Sequence, residues 1–119
     1  MSPRRTVEQW VMAFNKADIQ TLKSLYAPEA VNHQMPNTPI TGRTAIGKMF
    51  KDEFAVAERH CIVVQIIEEG EWAVLEWRDL KDFRGCGFFH VIDGLIHTQR
   101  GYWDKLSFKQ LYNIEGLKS

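Results

Sequence analysis

The hydrophobic pattern of this chain changes period once, near Glu58, and that change limits the fold more than any other feature. Before it, apolar residues recur at helical spacing. Val7, Trp10, Val11 and Phe14 stand at i, i+3, i+4 and i+7, the stripe of an amphipathic helix. Thr6 followed by Gln9 has the form of a capping box at its start. Asp18 can cap a second, short helix carrying Ile19, Leu22, Leu25 and Tyr26, which Pro28 stops. EAVNHQ then reads as a short strand, and MPNTPITG as a loop with two prolines and a glycine. A third helix from about Thr44 puts Ile46, Met49, Phe50 and Phe54 on one face.

Beyond Glu58 the segments HCIVVQIIE, WAVLEWRDL, CGFFHVI and LIHTQRGYW read as strands, separated by EGE, KDFRG and Asp93-Gly94. The Asp-Gly pair is the strongest hairpin signal, because a type I′ turn needs positive φ at both central residues. A short helical tail, KLSFKQLY, follows. Helices followed by a run of strands predict an α+β fold, with the helices packed on one face of a curved antiparallel sheet. A chain of 119 residues has room for one core, so a single domain over residues 1–119 is expected.

Fifteen basic residues balance fifteen acidic ones. With no electrostatic footprint for nucleic acid and no basic run for a membrane surface, neither is expected as a partner. No apolar run approaches the roughly 20 residues that span a bilayer. The opening MSPRRTVEQW lacks the apolar segment of a secretory signal, so a cytoplasmic location is expected. Cys61 and Cys86 fall in strand-like segments and read as free, buried thiols. His60, His90 and His97 have no metal-ligand spacing, and there is no phosphate loop or nucleophile elbow. No metal and no organic cofactor are expected.

Three places carry side chains that could do chemistry. In EGEWAVLEWRDLKD, Glu76 and Arg78 stand two apart in a strand and so share a face. Either that face is solvated, with Ala73, Leu75 and Trp77 on the core, or it looks into a pocket that needs both charges. An inward pair would have to be partnered, because an unpaired buried charge costs several kcal/mol. His33 ends AVNH just before the proline-rich loop. It reads either as a surface histidine or as a rim base titrating near neutrality. In the phrase YWD, Tyr102 and Trp103 precede Asp104, which is placed to cap the last helix with Ser107 at N3.

The order of elements, and the phrases VEQWVMAFNKADIQTLKSLYAPEAVNH, TGRTAIGKMF, FFHVIDGLI and GYWDKLSF, resemble the nuclear-transport-factor-2-like superfamily, in particular its SnoaL-like branch. That branch includes polyketide cyclases, ketosteroid isomerase and limonene epoxide hydrolase. The resemblance implies a cone-shaped fold in which the sheet wraps the N-terminal helices and encloses a pocket. It implies that Val74, Glu76 and Arg78 line the pocket, with the outer sheet face meeting a second subunit in a homodimer. It also puts His33 where the isomerase has its general-base Asp, and Asp104 in an aromatic-aromatic-Asp phrase common near the end of such chains. Trp10, Phe14, Met35, Phe50, Phe89, Gln99, Tyr102 and Trp103 would then contact a ligand.

The departures are informative. The isomerase's oxyanion-hole Tyr and its protonated Asp fall on Trp10 and Gly87, and a catalytic Asp of the hydrolase falls on Gly101. Three readings follow from the whole. The first is a small-molecule enzyme moving a proton on an apolar, carbonyl-type compound, with His33, Glu76, Arg78 and Asp104 as catalytic candidates. The second is a non-catalytic dimeric module that binds a hydrophobic small ligand. The third is a pocket-free interaction domain that works through its sheet face.

Overall fold

The computed structural model describes residues 1–113. Helix α1 spans Pro3–Asn15, α2 Ile19–Ser24, β1 Tyr26–Gln34, β2 Ile40–Thr41 and α3 Arg43–Val56. Strands β3 (Ile62–Glu69), β4 (Trp72–Arg78), β5 (Arg84–Ile92) and β6 (Leu95–Tyr102) follow, and α4 covers Lys105–Tyr112. The fold is α+β. The period change near Glu58 falls in the connection between α3 and β3.

Several local expectations need correction. Helix α2 stops at Ser24, with Leu25 as its C-cap, so Tyr26 opens β1 instead of extending the helical stripe to Pro28, and Ile40–Thr41 of the expected loop forms β2. Helix α1 begins before Thr6: Ser2 is the N-cap, accepting from the Arg5 amide at 3.1 Å, and Pro3 takes the first turn. Proline suits that position because its φ is already helical and its missing N–H would have had no partner there. Thr6 is instead fully buried, and its hydroxyl donates to the Gly94 carbonyl at 3.1 Å, tying α1 to the β5–β6 hairpin. Strand β1 also starts earlier than EAVNHQ. It takes in Pro28, which is tolerated because the pairing with β6 is interrupted between Tyr26 and Val31.

Other local signals are realised as read. Asp18 accepts from the Thr21 amide at 3.2 Å and caps α2. Asp93 and Gly94 have φ of 51° and 79°, as the tight β5–β6 hairpin requires.

The six strands form one sheet in the order β2-β1-β6-β5-β4-β3. Every neighbouring pair is antiparallel except β1 and β6, which run parallel. The register shifts in the β1–β6, β3–β4 and β5–β6 pairs. Irregularities of this kind bend and twist a strand locally. The inner face carries Ala73 and Leu75 on β4, Phe89 and Val91 on β5, and Ile96 on β6. Against it pack Val7, Trp10 and Val11 of α1, Leu22 of α2, and Ile46 and Phe50 of α3. Each buried Val, Leu, Ile or Phe among them contributes about 1.5–3 kcal/mol.

The outer face carries Trp72, Val74, Glu76 and Arg78 on β4, opposite His90, Phe88, Cys86 and Arg84 on β5. No described helix is long and apolar enough to cross a membrane.

Candidate functional site

Between the inner face of the sheet and helices α1, α3 and α4 lies a cavity of about 570 Å³. That is within the range of small-molecule sites. Its walls are largely aromatic. Trp10 and Phe14 come from α1, Phe50 from α3, Trp77 and Phe89 from the sheet, and Trp103 and Phe108 from the last segment. The rings pack on one another: Trp10 stacks on Phe14 at 5.0 Å and meets Phe89 edge-on at 5.5 Å. Rings held in this way keep an apolar space open with little side-chain freedom left to lose.

Two hydrogen-bonded chains make the polar part of the site, and each starts from an indole, which can only donate. In the first, Trp10 Nε1 donates to the Tyr26 hydroxyl at 2.9 Å, and that hydroxyl donates to Gln99 Oε1. Burial raises the Tyr26 pKa above its ordinary value and so keeps the phenol protonated. In the second, Trp103 Nε1 donates to Gln34 Oε1 at 2.9 Å, and Gln34 Nε2 donates to Asn32 Oδ1 at 2.7 Å. The direction of this chain fixes both amides. Because the indole must meet an oxygen, Gln34 turns its nitrogen to Asn32, and Asn32 must then accept with its own oxygen. Asn32 Nδ2 is left over. The residue is 1% exposed and lines the cavity, and this nitrogen has no hydrogen-bond partner among the described residues. It is near enough to the Tyr26 oxygen to ease that group's ionisation slightly, without hydrogen-bond geometry. A buried donor left unpaired costs about 1–3 kcal/mol, which an incoming acceptor would recover.

Ionisable groups also reach the cavity. Glu53 lines it from α3, and burial raises its carboxyl above the usual range, with the positive charge of Arg59 opposing. Arg59 holds its guanidinium over the Phe108 ring at 5.7 Å, and its Nε is buried without a partner among the described residues. Asp79 is fully engaged. It accepts from the Lys81 and Phe83 amides at 2.9 and 3.0 Å and from the Tyr112 hydroxyl. The Tyr112 phenol is pushed up to about 12 by burial and by Asp79. Burial likewise pushes the Cys61 thiol up to about 12, so it stays protonated and is a poor nucleophile.

Six of the expected ligand contacts line the cavity: Trp10, Phe14, Phe50, Phe89, Gln99 and Trp103. The four catalytic candidates do not. Strand alternation puts Leu75 and Trp77 inward, so Glu76 and Arg78 lie on the outer face. There Glu76 accepts from Gln65 Nε2 at 2.7 Å, an exposed contact. His33 sits opposite Arg100 in register on the outer face, while its neighbours Asn32 and Gln34 point inward. The physical reason is the same for all three: with a side-chain period of two, an offset of one residue moves a side chain to the other face.

Asp104 is the N-cap of α4, accepting from the Ser107 amide at 2.8 Å, and those bonds lower its pKa. Met35 donates its backbone N–H to Gly101 at 2.8 Å but does not line the cavity. Tyr102 lies on the outer face, 41% exposed. Nor is the space beside Gly101 free for a ligand. A Cβ there would fall 1.9 Å from Gln34 Oε1, so the Gln34 side chain already fills it.

Asn32, Gln34, Glu53 and Arg59 were absent from the sequence-derived candidates. Asn32 and Gln34 were detectable as the alternation partners of His33. Glu53 was detectable as a carboxylate seven residues after Ile46, inside the apolar stripe of α3. Nothing in the sequence marked Arg59. Among the described residues, no three His, Cys, Asp or Glu side chains are grouped so as to hold a metal ion.

Solved structures with this fold include an LEH-like epoxide hydrolase from M. tuberculosis, 23% identical, with 92% of this chain and 88% of that chain covered at a TM-score of 0.81. An NTF2-like protein of unknown function from Cytophaga hutchinsonii is 16% identical, covering 91% of this chain and 95% of that one at a TM-score of 0.79. A SnoaL-like protein of unknown function from Burkholderia thailandensis is 14% identical, covering 86% and 94% at a TM-score of 0.77. No curated protein matches the sequence. Residues 7–98, well over half of the chain, match the SnoaL-like domain, and the chain belongs to that family.

Proposed function

We propose that the protein is a small-molecule enzyme of the SnoaL-like type, acting by proton transfer on an apolar compound that carries a carbonyl oxygen. The observation that carries this reading is the orphaned Asn32 Nδ2 in an aromatic cavity of about 570 Å³. Apolar walls select an apolar body, and one fixed donor selects an acceptor oxygen. A hydrogen bond to a carbonyl also stabilises the negative charge that develops on its oxygen when a neighbouring C–H loses its proton. The likeness to an epoxide hydrolase supports enzymatic use of such a cavity, though one fold hosts many chemistries.

The test is turnover against a panel of ketones, enones and epoxides, with Asn32→Leu as the control. Turnover of a carbonyl compound that falls about tenfold or more in the variant is the expected result, the scale of one hydrogen bond. Binding without turnover across the panel would sink it.

A second reading, a non-catalytic module that binds a hydrophobic ligand, has one observation in its favour. The positions corresponding to acidic groups in the isomerase and the hydrolase hold Gly87 and Gly101, and both glycines line the cavity. The same panel separates the two readings. In either case we propose that the protein pairs with a second copy through the outer sheet face. Ile67, Val74 and Phe88 stand in one cross-strand row there. Glu76 shares the face with Arg78, Arg84 and Arg100, and Glu71 reaches its edge through His90 at 2.8 Å, a mixture of signs that lets a patch meet its own copy across a two-fold axis.

A further inference from the structure

We infer that Glu53 is the catalytic base of the cavity, taking a proton from a C–H beside the oxygen held by Asn32. This rests on the reading of the cavity as a small-molecule site and goes beyond it by assigning the proton to an atom. Glu53 sits at i+7 from Ile46 and i+3 from Phe50, so its carboxylate projects from the buried stripe of α3 into the aromatic space. It has no hydrogen bond or ion pair among the described side chains. A carboxylate in a largely apolar cleft with no hydrogen bond to hold it is costly in the folded state, and such sites cluster where chemistry is done.

The other titratable groups around the cavity fail as bases, each for its own reason. Tyr26 on β1 and Tyr112 on α4 are held protonated, as is the Cys61 thiol. Asp79, at the end of β4, spends its oxygens on Lys81, Phe83 and Tyr112. Glu58 has a side chain 94% exposed and lies 3.7 Å from His60, itself 40% exposed, so both belong to the solvated rim. Lys81 and Lys105 line the rim as cations. Among these neighbours only Arg59 opposes the rise in the Glu53 pKa, and Glu53 in turn raises that of Tyr26. The carboxylate is thus electrically in touch with the polar end of the cavity where Asn32 lies. A carboxyl raised above its usual range is a stronger base than an exposed glutamate.

A generic reporter of base catalysis tests this without knowledge of the natural substrate. When a carboxylate removes the ring C–H proton of nitrobenzisoxazole, the C–H electron pair completes a nitrile and the N–O bond breaks. The oxygen departs with the bonding pair as a coloured phenolate, the carboxylate becomes a carboxylic acid, and no other reactant is consumed. Wild type is expected to open this ring with a rate that rises with pH through a midpoint above that of an ordinary glutamate. Glu53→Gln should lose roughly two to four orders of magnitude, the usual scale for one proton-transfer group. Binding of anilinonaphthalene sulfonate, read by fluorescence, should persist in this variant. Arg59→Met should move the midpoint to higher pH, because a positive charge that favoured the carboxylate is gone. Carbon-13 titration of the Glu53 carboxyl in the wild type should give the same midpoint, whatever the variants do to folding.

Dye binding together with a rate that Glu53→Gln leaves intact would overturn the assignment alone, as would an unshifted carboxyl titration. Failure of the wild type to bind the dye would overturn the cavity reading and the assignment with it.

Discussion

At the residue scale, the site is a place where local stability is given up. Asn32 keeps a donor unpaired, and Glu53 keeps a carboxylate in apolar surroundings. The second has a measurable consequence. Because burial raises the Glu53 pKa above its unfolded value, the folded state is favoured while the group is protonated. That advantage is lost as pH rises from the unfolded midpoint, about 4.3, through the raised folded one. Glu53→Gln removes the penalty without changing shape. The variant should therefore melt at a higher temperature than wild type at pH 7, and the difference should vanish as the pH falls below about 4. Thermal melts followed by circular dichroism at the two pH values check this. A variant less stable than wild type at neutral pH would mean that the carboxylate is well solvated. The same position explains why the site was hard to read. A glutamate in a helical stripe looks like a solvated residue until Phe50 and Phe54 are seen on either side of it.

At the element scale, the strands were legible as strands but not in phase. Alternation in WAVLEWR gives two faces, and nothing in those seven letters says which one the helices cover. The family resemblance suggested the face of Glu76 and Arg78, whereas Leu75 and Trp77 line the cavity and Glu76, Arg78 and His33 lie on the other face. The helices were easier, because Trp10, Phe14 and Phe50 are large apolar residues that recur at helical spacing. The caps at Asp18 and Asp104 were legible as well, since an acidic side chain three residues before a free amide needs no tertiary information. Pairings between distant elements were not. The fit of Gln34 against Gly101 depends on β1 lying beside β6, and it makes a sharp prediction. Gly101→Ala would put a Cβ 1.9 Å from Gln34 Oε1, forcing that side chain off both Trp103 and Asn32. The expected cost is about 1–3 kcal/mol in denaturant unfolding, the usual range for overpacking. Most of it should be recovered by adding Gln34→Ser, and strictly additive losses in the double variant would show that the two residues do not compete for the same space.

At the scale of the whole molecule, the outer sheet face sets the state of association. If it pairs with a copy of itself, light scattering at tens of micromolar should give twice the chain mass, and Phe88→Lys should return the monomer with the cavity unchanged. A monomeric wild type under those conditions would leave the face as a solvated one. The parallel pairing of β1 with β6 has a different consequence, for the time course of folding. The helical half of the chain joins the sheet there, through contacts such as the Ile96 amide donating to the Leu25 carbonyl at 2.7 Å and His33 in register with Arg100. During synthesis α1, α2 and β1 leave the ribosome long before the strand they need, and β1 must wait with its edge unsatisfied while the β3–β4 and β4–β5 hairpins form from local contacts. The slow step should be the capture of β1 by β6, a non-local closure of the kind that places folding in milliseconds to seconds rather than microseconds. Until that capture the cavity has no floor, so any ligand that binds there can select only the finished chain.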